Sequence, residues 1–137
     1  MKIAAYLSFD GRCAEAFAFY AKALGGTIQF TQTFGESPMA DQVPPEWRDK
    51  VMHVTLTVGD QTIYGADPPP AHYAKPQGVS MSITPASPAE GERIFNALAE
   101  GGSVTMPFGK QFWSEGFGML TDRFGISWMV NCEVAAA

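Results

Sequence analysis

The chain has 137 residues and a mass of 14.8 kDa, with 46% hydrophobic and 17% charged residues. Those proportions describe one folded domain with its own core; they exclude a disordered chain and leave no room for two independent domains. Nine Lys and Arg against fourteen Asp and Glu give a net charge of −5, and a surface of that sign without a basic cluster repels phosphate backbones, so no nucleic-acid partner is expected. Residues 2–9 alternate with the period of a strand, and Asp10-Gly11-Arg12 breaks it. No stretch approaches the ~18 apolar residues of a membrane span, and no apolar leader follows Met1, so a cytoplasmic location without a membrane partner is expected. Cys13 and Cys132 lie far apart, without the CxxC spacing of redox or zinc motifs, and read as reduced core thiols rather than a nucleophile or a disulfide.

Residues 13–24 are Ala-rich with Phe17, Tyr20 and Leu24 at i, i+3 and i+7, which predicts an amphipathic helix stopped by Gly25-Gly26. The Thr, Gln and Phe of 27–34 predict a second strand. Residues 35–49 carry Pro38, Pro44 and Pro45 and no period; a loop of that length is expected either to lay Met39, Val43 or Trp47 over a cavity mouth or a partner chain, with a short helical turn within 45–50, or to be a mobile surface excursion. Residues 50–58 then alternate, Met52, Val54, Leu56 and Val58 on one face and Val51, His53, Thr55 and Thr57 on the other. Gly59-Asp60 joins them to a strand over 61–66, making a hairpin.

Beyond the proline-rich 67–76 the same order begins again. A strand over 79–84 precedes a helix over 87–100, with Ser87 as N-cap, Glu90 completing a capping box and Gly101-Gly102 as the stop. Strands over 104–113, 117–121 and 126–132 follow, with breaks at Ser114-Glu115-Gly116 and at Asp122-Arg123-Phe124-Gly125. The reading is a single α+β domain of two βαβββ modules, about 1–67 and about 76–134.

Two such modules resemble the vicinal oxygen chelate superfamily of glyoxalase I, bleomycin-resistance proteins and extradiol dioxygenases. The strings Tyr6-Leu7-Ser8-Phe9-Asp10-Gly11, Ala23-Leu24-Gly25-Gly26, Ile94-Phe95-Asn96-Ala97-Leu98-Ala99-Glu100-Gly101-Gly102 and Phe117-Gly118-Met119-Leu120-Thr121-Asp122-Arg123-Phe124-Gly125-Ile126-Ser127-Trp128-Met129-Val130-Asn131 are similar to the PhnB-like branch, over nearly the whole chain. Metal-dependent members place one His, Glu or Gln on the first and fourth strand of each module. The resemblance puts Ala4 or Ala5, Tyr64, Ser80 or Val79, and Met129 at those places, none a good ligand for a divalent cation, so neither a metal nor another cofactor is expected. It also implies a homodimer in which modules from both chains line each cavity. Some PhnB-like relatives carry a 3-demethylubiquinone-9 3-methyltransferase label, but Gly116-Phe117-Gly118 lacks a third glycine and leads into a strand, which does not make a nucleotide-binding loop.

His53 and His72 are the only imidazoles, and acid or base chemistry that needs one must use them. His53 is the catalytic candidate, because it shares a polar strand face with two threonines that the fold would turn toward a cavity; the alternative is a histidine simply hydrogen-bonded there. His72, beside Pro70 and Tyr73, reads as a surface residue. Phe112, Trp113, Phe117, Met119 and Met129 would join Tyr6 and Tyr64 around the cavity, or else fill the core. The expected ligand set is Tyr6, His53, Tyr64, Ser80, Trp113 and Asn131, around a small planar or amphipathic organic compound. Two other classes stay open: a glyoxalase- or isomerase/lyase-type enzyme using His53 or Glu115 as base, with or without a metal at a displaced site, and a non-catalytic interaction module whose cavity its own side chains fill.

Overall fold

Helix formation in the first unit follows directly from its alanine-rich stretch. The computed structural model describes residues 1–133, and contacts divide the chain between Lys75 and Pro76 into two units, each with one sheet and one helix. In the first, β1 (Ala5–Ser8) leads into α1 (Cys13–Leu24), followed by β2 (Thr27–Thr33), β3 (Val51–Val58) and β4 (Gln61–Ala66). The sheet order is β1-β4-β3-β2, with β1 parallel to β4 and the other pairs antiparallel. Cys13, Ala16, Phe17, Tyr20 and Ala23 form the buried stripe of α1, and Val54, Leu56 and Ile63 supply the sheet side of the core. The Phe17 ring occupies the space a Cβ at Gly65 would need, so this side chain packs directly on the β4 backbone while the helix lies over β3 and β2. Burying Phe17 and Tyr20 contributes about 1.5–3 kcal/mol each. Gly25 adopts the left-handed conformation, φ 69°, and closes the helix as its position predicts.

The second unit repeats the arrangement with β5 (Met81–Ile83), α2 (Pro88–Ala99), β6 (Ser103–Gln111), β7 (Ser114–Thr121) and β8 (Ser127–Glu133), in the order β5-β8-β7-β6. Its core is Ile94, Phe95, Leu98, Leu120, Trp128, Val130 and Cys132. Asp122, buried in this core, accepts from the backbone N–H of Phe124 (2.8 Å) and Ile126 (3.0 Å) and from Trp128 Nε1 (2.8 Å), which ties the β7–β8 turn to the core.

Several boundaries differ from the sequence reading. The first strand of each unit is shorter than its alternation implies, because pairing with the fourth strand covers only Ala5–Ser8 and Met81–Ile83. Ser114-Glu115-Gly116 is not a break but the start of β7, and the β6–β7 turn falls on Phe112 and Trp113. The buried Ser114 hydroxyl explains this: it lies 2.8 Å from Gly116 O and 2.6 Å from Cys132 O and accepts from the Gly116 N–H, using its turn-forming capacity inside the sheet. The capping box at α2 is displaced as well: Ser87 Oγ accepts from the Glu90 N–H (3.2 Å), but the Glu90 carboxylate takes the N–H of Ala86 (3.0 Å), one residue before the cap.

The segment between β2 and β3 holds three short 3₁₀ turns, Phe34–Glu36, Ala40–Gln42 and Pro45–Trp47, the last where a helical turn is expected. It does not lay Val43 or Trp47 out as a cover: Val43 is buried, and Trp47 Nε1 donates to the backbone carbonyl of Asp67 at 3.1 Å. Met39 alone of the three is exposed.

Candidate functional site

Strand alternation gives the first sheet one face against α1 and one open face. On the helix side Val54 and Leu56 are 1% and 0% exposed; on the open side Tyr6 and Phe30 are 52% and 50% exposed. The register sets these open-face residues in a row across all four strands, Tyr6 level with Tyr64, Tyr64 with Thr55 and Thr55 with Phe30. His53 stands two residues before Thr55 on the same face. Its Nδ1 lies 3.1 Å from the Tyr6 hydroxyl and its Nε2 lies 3.2 Å from Thr55 Oγ1. The Tyr6 and Tyr64 rings are 6.1 Å apart and 30° from parallel, while His53 lies 5.5 Å from Tyr64 and 6.1 Å from Phe30. Lys2 Nζ closes one end, 5.6 Å from the Tyr64 centroid and 2.7 Å from Thr62 Oγ1.

Burial, with a smaller contribution from the Cys13 sulfur, pushes the Tyr6 phenol above its ordinary pKa, so it keeps its proton at neutral pH. Both ring nitrogens of His53 are thus engaged by hydroxyl groups, Tyr6 Oη at Nδ1 and Thr55 Oγ1 at Nε2, which fixes the ring between two strands and sets three polar groups in one line on the open face. Beneath this face the Cys13 thiol is also held high, by burial first and by the nearby Asp67 carboxylate second, which makes it inert as a nucleophile. Asp67, 1% exposed, accepts from the N–H groups of Gly11 (2.9 Å), Cys13 (3.0 Å) and Val51 (3.1 Å), pinning the start of α1 to the start of β3.

The second sheet has an open face of a different kind. Ser82, Met129, Met119 and Met106 run level across its four strands, and Phe117 pairs with Asn131 in the next row. Asn131 is half-buried, and its Oδ1 is the buried side-chain atom without a hydrogen-bond partner among the described residues. Trp113 stands at the tip of the β6–β7 turn, 42% exposed, its ring 5.5 Å from Phe117 and 4.7 Å from Phe112, itself 95% exposed. Ser80 is exposed and precedes β5. His72 is exposed at the end of a 3₁₀ turn, and Glu115 is exposed on β7.

The first- and fourth-strand positions that hold metal ligands in the resembled superfamily can be read from the register. Tyr6 is level with Tyr64 and Ser82 with Met129, so the sequence-based positions Ala4 or Ala5 and Ser80 or Val79 lie too far toward the N-terminus. The donor chemistry is no better after the correction. Two phenols, a hydroxyl and a thioether offer neither imidazole nor carboxylate, and such a set does not fit a divalent cation. Among the described residues no three His, Cys, Asp or Glu side chains converge. Nor does Gly116-Phe117-Gly118 form a cofactor loop: a Cβ at Gly116 would come within 2.5 Å of the Phe108 ring and one at Gly118 within 2.6 Å of the Phe95 ring, so these glycines make room for core rings.

Of the six expected ligand residues, the structure brings Tyr6, His53 and Tyr64 together on the first sheet and leaves Ser80, Trp113 and Asn131 in the second unit. Phe30, the hydrogen bond from His53 to Thr55, and Ser82 were not read from sequence. Phe30 reaches its place through a register shift between Ile28 and Phe30 that plain alternation does not carry.

The family described as 3-demethylubiquinone-9 3-methyltransferase matches residues 1–131. Protein YjdN of Escherichia coli (strain K12) is 32% identical over 96% of this chain and 95% of its own. The crystal structure of PA1353 from Pseudomonas aeruginosa is 51% identical, with a TM-score of 0.89 over 97% of this chain and 98% of that one. A PhnB protein from Bacillus cereus, named for the same methyltransferase, is 27% identical with a TM-score of 0.81 over 96% and 99% of the two chains. At the level of fold alone, a possible glyoxalase from Bacillus cereus matches with a TM-score of 0.63 at 16% identity over 96% and 99% of the two chains. The chain therefore belongs to the 3-demethylubiquinone-9 3-methyltransferase family, the PhnB-like proteins built on the glyoxalase and bleomycin-resistance fold.

Proposed function

We propose that the protein binds a small planar organic molecule on the open face of its first sheet without the divalent cation used by metal-dependent relatives of its fold. The observation that carries this reading is the half-exposed cluster of Tyr6, His53 and Tyr64, with its chain of hydrogen bonds to Thr55. Aromatic rings turned to solvent on a sheet stabilise it as cross-strand pairs and at the same time give a flat ligand a stacking surface with a small number of polar groups to orient it. Support for the absence of a divalent cation is the donor set Tyr6, Tyr64, Ser82 and Met129. The methyltransferase description supplies a family, not a reaction; Gly116 and Gly118, the one glycine pair that suggests a nucleotide loop, make room for Phe108 and Phe95 instead.

A second reading, an enzyme of the isomerase or lyase type, draws on one observation: both nitrogens of His53 meet hydroxyl groups, so the imidazole could take a substrate proton through the Tyr6 or Thr55 oxygen while the other contact holds the ring. The two readings separate in one experiment. A panel of planar compounds is tested for thermal stabilisation of wild type, Tyr6→Phe and His53→Ala after treatment with chelator. A pure binding face predicts bound but chemically unchanged compound in all three, with affinity falling about 5- to 30-fold in His53→Ala. Turnover in wild type that vanishes in His53→Ala would establish the enzyme instead. No stabilisation by any compound until a divalent metal is added would refute both.

A further inference from the structure

The open face of the second sheet carries its own recognition chemistry. Three thioethers, Met106, Met119 and Met129, lie level on adjacent strands, and Phe117 pairs with Asn131 in the neighbouring row. Among them Asn131 Oδ1 is buried and has no hydrogen-bond partner among the described residues. An unsatisfied buried carbonyl destabilises the folded state, whereas an apolar residue of the same shape would not, so a polar side chain in this setting works against folding. Thioether sulfurs pack favourably against aromatic rings and adapt to their outline.

We propose that this face takes a flat aromatic compound bearing a single N–H or O–H donor, and that Asn131 Oδ1 accepts that donor's hydrogen bond. The inference rests on the reading of the chain as a small-molecule binder and names the ligand chemistry for the second unit. Asn131 sets specificity there: it rejects the same ring system once the donor is blocked, because the amide would then stay unpaired beneath the ligand.

The test uses the full-length protein labelled with ¹³C at the methionine methyl groups, with indole and 1-methylindole as probes. Indole is expected to shift the methyl resonances of Met119 and Met129 by its ring current, with low-millimolar affinity typical of a fragment of that size, and to bind about 5-fold or more tighter than 1-methylindole. In Asn131→Leu the two probes should bind within about 2-fold of each other while the melting temperature is unchanged or higher, the opposite of what a structural asparagine would show. Asn131→Asp, which keeps an acceptor, should preserve the preference for indole and provides a second reading if the leucine variant does not fold. Equal binding of the two probes to wild type, a preference that survives in Asn131→Leu, shifts confined to Met39 and Met52, or no binding of indole at millimolar concentration would each overturn the proposal. Failure of the first-sheet reading is seen separately, in the resonances of Tyr6 and His53.

Discussion

His53 shows how a side chain with a structural explanation can also be equipped for recognition. Its two nitrogens are engaged by Tyr6 and Thr55, yet it remains half-exposed beside Tyr64 and Phe30. Removing the Tyr6 hydroxyl in Tyr6→Phe frees Nδ1 while keeping the ring, so stability should change by less than about 1 kcal/mol, as measured by urea denaturation. The imidazole two-dimensional ¹⁵N spectrum should at the same time show a shift of Nδ1; an unchanged Nδ1 resonance in Tyr6→Phe would contradict the Tyr6–His53 contact. Asp67 gives the pH dependence. Its carboxyl is held above the ordinary 3.8 by burial, against the pull of the N–H groups of Val51, Cys13 and Gly11 and of Lys50. A carboxyl raised in the folded state binds a proton there before the unfolded chain does, so its contribution favours folding at low pH and declines as pH climbs from about 4 through the raised value. Asp67→Asn removes an acceptor from buried N–H groups and should cost about 1–3 kcal/mol. The stability gap between wild type and this variant should narrow as pH rises through that window, and a gap that widened would reverse the assignment.

Helices and hairpins were legible in the sequence where local chemistry alone fixes them. The bounds of α1 follow from its apolar spacing and the glycine stop, and the β3–β4 hairpin from Gly59-Asp60. Elements whose limits depend on a distant partner were not. Residues 2–9 alternate throughout, but only Ala5–Ser8 find β4 to pair with. The β6–β7 turn was misplaced because Phe112 and Trp113 turn without a glycine at positive φ, while the glycine-bearing Ser114-Glu115-Gly116 is held extended by the Ser114 hydroxyl. The polar face of β3 was readable from alternation, but Tyr6 meets His53 only through the parallel pairing of β1 with β4. A consequence can be measured at the contact between α1 and the sheet. Gly65→Ala drives a methyl into the Phe17 ring and should destabilise by about 1–3 kcal/mol in thermal or urea unfolding. A neutral effect would show that the Phe17 ring does not pack on Gly65.

Each unit repeats the same five elements with the same strand order, and each ends its sheet on an edge strand preceded by an exposed apolar residue, Ile3 at 90% and Val79 at 77%. Such edges are suited to a two-fold partner copy, and light scattering at micromolar concentration should return twice the mass of the 14.8 kDa chain. A mass of one chain would remove the dimer from the account. Among the described residues no helix is long and apolar enough to cross a membrane. The paired positions Tyr6 and Tyr64, and Ser82 and Met129, carry groups that serve ring stacking and hydrogen bonding better than cation binding. The most direct test is a ¹⁵N and aromatic ¹³C spectrum of chelator-treated protein titrated with a set of planar fragments. Saturable shifts at Tyr6, His53, Thr55 and Tyr64, unchanged when zinc, nickel or manganese is added, are the predicted result. Shifts that require an added divalent cation, or saturable binding that leaves those four residues unmoved, would contradict the account.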